Sequence, residues 1–138
     1  MKANTQVFVD TSGFKALVDV KDEFHERAVK IWEKLKIDKS SLITTNFILD
    51  ESYTLIRLRC GIGVCRDLRT MLTDLVSIKV MRVSLDDELL AWDWFEVDWS
   101  GLSFTDCTCF AMMKRLDLST YFGFDKHFER AGIKPFGV

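Results

Sequence analysis

Short apolar runs alternate along the chain with longer segments in which apolar residues recur every three or four positions. The first run, Val7-Phe8-Val9, is typical of a strand that is buried on both faces of a sheet. Leu42-Ile43-Thr44 predicts a second short strand. Further strands are predicted in SIKVMRVS (residues 77–84), in STYFGF (residues 119–124) and, at a sheet edge where proline is tolerated, in IKPF (residues 133–136).

The longer segments predict helices because their apolar residues fall on one helical face. In EFHERAVKIWEKLK (residues 23–36) the inner face holds Ala28, Ile31 and Leu35. A later helix begins at Ser84, whose hydroxyl can cap free backbone N–H groups, and it is predicted to bury Leu85, Leu89, Trp92 and Phe95. The remaining helices are predicted over residues 12–19, over residues 46–59 before a CGIG break, over residues 64–75, from a Thr105 cap to Leu116, and over a short segment that ends at Gly132.

Strands that alternate with helices predict an α/β fold with right-handed crossovers. We expect a three-layer α/β/α sandwich whose mostly parallel central sheet has four to five strands. The length of 138 residues suits a single domain, residues 1–138, that is large enough to bury a core without disulfides or structural metals.

Composition limits the class of protein. No segment approaches the ~20 apolar residues of a membrane helix, so we expect a cytoplasmic protein with no membrane contact. The formal net charge of −2 is not that of a protein that coats nucleic acid, which leaves local or metal-assisted contact with it. The cysteine spacings match neither a zinc site nor a redox C-x-x-C motif, and we expect buried free thiols at Cys60, Cys65, Cys107 and Cys109.

Acidic residues mark the predicted carboxyl edge of the sheet. Asp10 and Asp125 follow predicted strands, and ligands of such sheets bind at this edge. Neighbouring carboxylates repel one another unless a cation or a shared proton intervenes. Oxygen ligands and few histidines favour Mg²⁺ or Mn²⁺ over zinc. Asp106 could join them from a helix start, and so could either Asp50 or Glu51, which point about 100° apart on their helix.

Four segments in chain order resemble the PIN-domain ribonucleases, especially the VapC-like toxins of bacterial and archaeal toxin–antitoxin pairs. They are VFVDTSGF, TTNFILDESYTLIRLRCG, LSFTDCTCFAMMKRLDL and YFGFDKHFERAGI, and the likeness runs from about residue 6 to residue 133. It implies a PIN-like fold and a metal-dependent endoribonuclease. Because water rather than the ribose hydroxyl attacks in that family, the implied product ends are a 5′-phosphate and a 3′-hydroxyl. A cognate antitoxin and a homodimer are implied as well.

The resemblance also assigns an acidic metal site by motif. It selects Glu51 over Asp50, because the family's Glu stands four residues before an apolar helix position, which here is Leu55. The family often has Thr or Ser shortly before its last acid, where this chain has Gly123-Phe124. The implied catalytic residues and metal ligands are Asp10, Glu51, Asp106 and Asp125.

Polar and basic residues near these acids are further candidates. Ser12 and Thr105 match small hydroxyl residues beside the family's site, where they could orient a carboxylate. Basic residues around the CGIG turn and after the last acid could guide an RNA strand, although a solvated helix end explains any single one equally well. These RNA-binding candidates are Arg57, Arg59, Arg66, Arg69, Lys126 and Arg130.

The histidines and two of the tryptophans are not assigned to the metal site. His25 is expected to be solvated on a charged helix, and His127 is expected at the surface rather than on a metal. Trp94 or Trp99 could mark a partner surface, since exposed aromatic residues are enriched at interfaces.

Two other functions remain open. A PIN-fold module that has lost catalysis would bind RNA or protein, but the acid set of this chain is complete. A phosphatase of the haloacid-dehalogenase type would use Asp10 as a covalent nucleophile. Those enzymes have a second Asp two residues later, where this chain has Ser12.

Overall fold

The computed structural model describes residues 5–74 and 78–137, which form one five-stranded sheet flanked by helices. In the order β3-β2-β1-β4-β5, every neighbouring pair is parallel. The predicted α/β sandwich with a parallel sheet of four to five strands is therefore confirmed. The strands are β1 (Gln6–Val9), β2 (Ser41–Thr45), β3 (Ile78–Met81), β4 (Thr120–Phe122) and β5 (Lys134–Pro135).

Helices connect these strands in chain order. None of the helices in residues 5–74 and 78–137 is both long enough and apolar enough to cross a membrane. Two residues that the predicted elements included, Leu75 and Ser77, lie outside the described residues. The helices are α1 (Thr11–Val18), α2 (His25–Ile37), α3 (Asn46–Cys60), α4 (Ile62–Asp74), α5 (Leu85–Phe95), α6 (Phe104–Arg115) and α7 (Lys126–Arg130).

Strand β1 lies in the middle of the sheet, between β2 and β4, and supplies the centre of the core. Val7, Phe8 and Val9 are fully buried, as the apolar run predicted. Burial of each side chain stabilises the folded state by about 1.5–3 kcal/mol. The β1–β4 register continues past the strands, because the Asp10 backbone N–H donates to the Phe122 carbonyl at 3.0 Å. The residues that follow β1 and β4 therefore meet at one edge of the sheet.

Several predicted boundaries differ from the structure by one to three residues. Helix α4 begins at Ile62 rather than at residue 64, because only Gly61, with φ at 91°, interrupts the chain in the CGIG turn. Strand β3 ends at Met81. Strand β4 ends at Phe122, so two residues separate it from Asp125, which the sequence had placed at the strand end.

Helix α5 buries a different face from the one predicted. Its buried residues are Asp87 and Ala91, and α6 packs against it. Asp87 receives two hydrogen bonds from the Arg115 guanidinium, at 2.9 and 3.0 Å. Because α5 carries apolar residues on all sides, their spacing could not identify the face that α6 covers. The four residues predicted to form its core face are exposed instead: Leu85 by 70%, Leu89 by 61%, Trp92 by 52% and Phe95 by 38%.

Trp94, Trp99 and His25 are all partly buried, although His25 was expected to be solvated and either tryptophan could have marked a partner surface. Trp94 and Trp99 pack against the core, and the Trp94 ring meets Phe110 edge-on with centroids 5.2 Å apart. His25 is not simply solvated, because its Nδ1 lies 2.8 Å from the Ala16 carbonyl oxygen. Trp94 and Trp99 therefore contribute to core packing.

The cysteines are free thiols. Cys65, Cys107 and Cys109 are buried, and Cys60 is partly buried at the end of α3. Burial raises the pKa of the Cys107 thiol to about 11, with a further contribution from the neighbouring Asp106. These thiols therefore behave as small apolar side chains.

The close approach of α1 to β4 makes Gly13 a sensitive position. A Cβ at residue 13 would lie 2.6 Å from the carbonyl oxygen of Phe122, which is backbone and cannot move freely. We expect Gly13→Ala to destabilise the protein by about 1–3 kcal/mol, because α1 must shift away from the sheet. Denaturant unfolding measures the effect.

Gly63 provides a matched control for this substitution. It lies inside α4, and nothing in the described residues lies within 4 Å of where its Cβ would be. Gly63→Ala should leave the protein as stable as before or stabilise it by up to about 1 kcal/mol, through helix propensity alone. Equal effects of the two substitutions would contradict the packing assigned to Gly13.

Candidate metal centre and active site

A pocket of about 300 Å³ lies at the sheet edge where β1 and β4 end. Its walls come from these two strand ends, from α1, α3 and α6, and from the turn before α2. The four acids that were predicted as a metal site all line it. Two further acids come from the turn before α2, and the full set of acidic lining residues is Asp10, Asp22, Glu23, Glu51, Asp106 and Asp125.

Asp10 follows β1 directly and has one carboxylate oxygen without a partner. Its Oδ2 accepts hydrogen bonds from the Ser12 backbone N–H at 3.2 Å and from the Ser12 hydroxyl at 2.6 Å. The side chain is buried, with the residue 2% exposed, and Oδ1 has no hydrogen-bond partner in the described residues. Leaving a buried carboxylate oxygen unpaired is costly, so this atom indicates a position for a cation.

Ser12 connects the two strand ends. While its hydroxyl donates to Asp10, its Oγ also accepts a hydrogen bond from the Phe124 backbone N–H at 2.8 Å. The intervening Gly123 permits this contact, since a Cβ there would lie 2.9 Å from Ser12 Oγ and 3.0 Å from Asp10 Cβ. Ser12 thus fixes both the Asp10 rotamer and the chain after β4.

Helix α6 presents Asp106 from its first turn. The predicted Thr105 cap is wrong, because Ser103 is the residue whose extended backbone precedes the helix and whose Oγ accepts from the Asp106 N–H at 3.0 Å. Thr105 already lies inside the helix, where its carbonyl accepts a bond from the Thr108 hydroxyl. The cap fixes the start of α6 and with it the position of the buried Asp106 side chain.

Asp125 caps α7 and is joined by a histidine. Its Oδ1 accepts from the His127 backbone N–H at 2.9 Å, and His127 Nδ1 lies 3.0 Å from the same oxygen and 4.0 Å from Asp106 Oδ2. The other ring nitrogen lies 2.8 Å from the Ser100 carbonyl oxygen, and the ring stacks on Trp99. The expected surface position for His127 is therefore wrong, since its side chain is only 18% exposed and contacts the acidic cluster.

Helix α3 directs one of its two adjacent acids into the pocket. Glu51 lines the pocket together with Leu55, one turn later, whereas Asp50 is exposed. The two acids therefore point in different directions, as helical geometry predicts, and Glu51 is the one that lines this pocket. A hydrogen bond of 3.2 Å from the Ser52 hydroxyl to Thr11 joins α3 to α1 and holds this helix against the site.

The electrostatics of the pocket disfavour free carboxylates. Burial raises the pKa of Asp10 to about 7, aided by repulsion from Asp125 and Glu51 and opposed by the hydrogen bonds from Ser12. Burial also raises the pKa of Asp106 well above its ordinary value, and repulsion from Asp10 and Asp125 adds to this. The site therefore favours the binding of protons or of a cation.

The donor set fits a hard divalent cation. One ligand atom from each of Asp106, Asp125 and His127 lies within 4.8 Å of the others. Asp10, which has the unpartnered oxygen, lines the same pocket as Asp106 and Asp125. Carboxylate oxygens predominate, as Mg²⁺ and Mn²⁺ prefer. The pKa values of Asp10 and Asp106 are raised by burial and by repulsion between the carboxylates, and a bound cation would offset that repulsion.

The basic residues proposed as an RNA track lie outside the lining of this pocket. Arg57 and Arg59 are at the end of α3, and the Arg130 guanidinium lies 5.2 Å from the centre of the Trp99 ring. All six are exposed, so their contact with RNA stays a prediction for Arg57, Arg59, Arg66, Arg69, Lys126 and Arg130.

No family model matches the chain. The chain is 32% identical over 128 residues to the 23S rRNA-specific endonuclease VapC20 of Mycobacterium tuberculosis, in two strains, and this covers 92% of the chain and 95% of the relative. The crystal structure of M. tuberculosis VapC20, described as a sarcin-ricin loop cleaving toxin, superposes with a TM-score of 0.82 at 31% identity, covering 92% and 95% of the two chains. By identity, coverage and fold, the chain belongs to the VapC-like family of PIN-domain toxins.

Proposed function

We propose that this chain is a metal-dependent endoribonuclease that hydrolyses RNA phosphodiester bonds and acts as the toxin of a type II toxin–antitoxin pair. The observation that carries the proposal is the convergence of four acids on one pocket, with one buried carboxylate oxygen unpartnered. The activity in the name of the relatives supports it. That name also makes 23S rRNA the first substrate to test.

Each residue of the pocket has a role in this proposal. Asp10 and Asp106 hold Mg²⁺ or Mn²⁺, with Asp125 and Glu51 completing the acidic set, and Ser12 keeps the Asp10 carboxylate in its orientation. His127 aligns Asp125 through its contact with Oδ1. When bound, the metal would strengthen water as a nucleophile and offset charge on the phosphate.

The partners follow from family membership. We expect a cognate antitoxin protein that holds the enzyme inactive, and a homodimer of the toxin. The exposed leucines and aromatic residues of α5 offer apolar surface for such association, since Leu85 and Leu89 are 70 and 61% exposed. We also expect a single catalytic domain with a cytoplasmic site of action.

Cleavage of 23S rRNA and of a mixed RNA pool with Mn²⁺, with and without EDTA, tests the proposal. We expect cleavage with Mn²⁺ that EDTA abolishes, leaving 5′-phosphate and 3′-hydroxyl ends. Because water is the proposed nucleophile, a single 2′-deoxynucleotide at the cut position should still be cleaved. Cyclic 2′,3′-phosphate ends, or cleavage that persists in EDTA, would contradict the metal mechanism and indicate a contaminating ribonuclease.

The alternative, a catalytically inactive PIN-fold module, makes a different prediction. Such a module would bind RNA or protein without needing the metal site. Calorimetric titration with Mn²⁺ separates the two, because the nuclease should bind the ion through Asp10 and Asp106, whereas no binding at millimolar Mn²⁺ would favour the module.

A further inference from the structure

Two phenylalanines form a stacked pair in the wall of the acidic pocket. The Phe24 and Phe124 rings are nearly parallel, at 2°, with centroids 4.6 Å apart. Phe24 comes from the turn before α2 and Phe124 from the loop after β4, so residues a hundred positions apart build the pair. Both line the same pocket as Asp10 and Asp106.

The pair differs from the aromatic residues of the core. Both phenylalanines are only partly buried, and both line the pocket. In a site for a polyanion, accessible apolar surface has no evident purpose unless an apolar part of the ligand meets it. The described core phenylalanines are at most 2% exposed, and they are Phe8, Phe14, Phe110, Phe122 and Phe128.

Backbone hydrogen bonds fix the position of the chain at each phenylalanine relative to the acids. The Phe124 N–H donates to Ser12 Oγ, whose hydroxyl donates to Asp10, so two hydrogen bonds of 2.8 and 2.6 Å connect the Phe124 backbone to the cluster. The Phe24 N–H donates to Asp22 Oδ1 at 2.8 Å. The pair is therefore held at a set position beside the reaction site, as a recognition element requires.

Charge alone would attract an RNA strand weakly at this point. Among the described residues that line the pocket, Lys15 is the one basic side chain, and its Nζ is already bound to Asp19 at 3.0 Å and to Asp22 at 2.8 Å. Binding near the acids must therefore come from the metal and from apolar contact. Stacking on an aromatic face supplies such contact and tolerates any base.

We propose that the Phe24–Phe124 pair is a platform on which an unpaired nucleobase next to the scissile phosphate stacks. The proposal rests on the endoribonuclease function above and adds a base-binding subsite to it. It requires the nucleotide at the cut to be unpaired, because a base within a duplex cannot present its face to the rings.

Kinetics on a single-stranded oligoribonucleotide that spans a mapped cut position, with Mn²⁺, test the platform. Phe24→Leu and Phe124→Leu should each raise KM by about tenfold and leave kcat nearly unchanged, because stacking contributes to binding rather than to the chemical step. Phe124→Tyr keeps the ring and should restore KM. Phe136→Leu is the matched control, since Phe136 is also a partly buried phenylalanine packed on the core but does not line the pocket.

An abasic nucleotide scan identifies the stacked base from the RNA side. Removing that base should raise KM for the native protein and have little further effect on Phe124→Leu. Unchanged KM in both leucine variants, with normal cleavage by the native protein, would overturn the platform and leave the nuclease standing. A fall in kcat together with weaker Mn²⁺ binding in those variants would also overturn it, since the rings would then support the metal site. Absence of metal-dependent cleavage by the native protein would overturn the nuclease proposal and the platform with it.

Discussion

Asp10→Asn is expected to lower the rate of RNA cleavage by at least about a thousandfold, because a bound metal contributes several kcal/mol to the transition state. The amide oxygen of Asn can still accept both hydrogen bonds from Ser12. The amide nitrogen would then replace the unpartnered Oδ1 and present a donor to the cation. The substitution should therefore remove metal binding while it preserves the fold. Cleavage rates and Mn²⁺ titrations of the purified variant measure both effects.

Asp50→Asn is the matched control for this loss of charge. Asp50 is an exposed aspartate next to Glu51 but does not line the pocket. Its substitution should leave cleavage within about twofold of the native protein, whereas Glu51→Gln should impair it. Native-like cleavage by Asp10→Asn would refute the assigned metal site.

The metal-free protein is expected to lose stability as the pH rises from about 4 to 8. The pKa of Asp10 is raised from 3.8 to about 7 in the folded state, so the folded protein holds a proton there that the unfolded chain has released. This contribution is fully present below pH 3.8 and is lost as the pH passes through about 7, which corresponds to on the order of 4 kcal/mol. The raised pKa of Asp106 acts in the same direction and at higher pH.

Thermal unfolding at several pH values, in EDTA and in Mn²⁺, measures this dependence. Mn²⁺ should raise the melting temperature strongly near pH 8 and little near pH 5, because protons and metal compete for the same carboxylates. In EDTA, Asp10→Asn should flatten the pH dependence. A melting temperature of the native protein in EDTA that does not change over this pH range would show that the acids are not crowded as described.

The fold could be predicted from sequence where burial leaves a repeating pattern. The Val7-Phe8-Val9 run and the inner face of α2 were predicted correctly because a buried strand and an amphipathic helix each impose a period on the sequence. The buried face of α5 was not predicted correctly, because apolar residues occur on all sides of this helix. Its buried face includes Asp87, whose charge is balanced by Arg115 from α6, and no local pattern indicates that partner.

In the candidate site, the sequence predicts those positions that follow from the order of strands and the geometry of helices. Parallel strands place Asp10 and the residues after β4 at one edge, and helical geometry separates Glu51 from Asp50. The Ser103 cap has a local signal in the sequence, because a serine three residues before an acid resembles a capping box. No local sequence pattern indicates the contacts of His127 or the Phe24–Phe124 pair, because these contacts join segments that meet only in the folded chain.

The hydrogen bond between Phe124 and Ser12 joins residues 112 positions apart, and this has a consequence for when activity can begin. During translation the amino-terminal half, with Asp10 and Glu51, emerges from the ribosome long before Asp106 and Asp125. Since strand β4 and the loop after it must dock on β1 to complete the pocket, a nascent chain has no assembled site. An enzyme proposed to cut RNA would thus be unable to attack the ribosome that is synthesising it until the segment with Phe124 and Asp125 has emerged and docked.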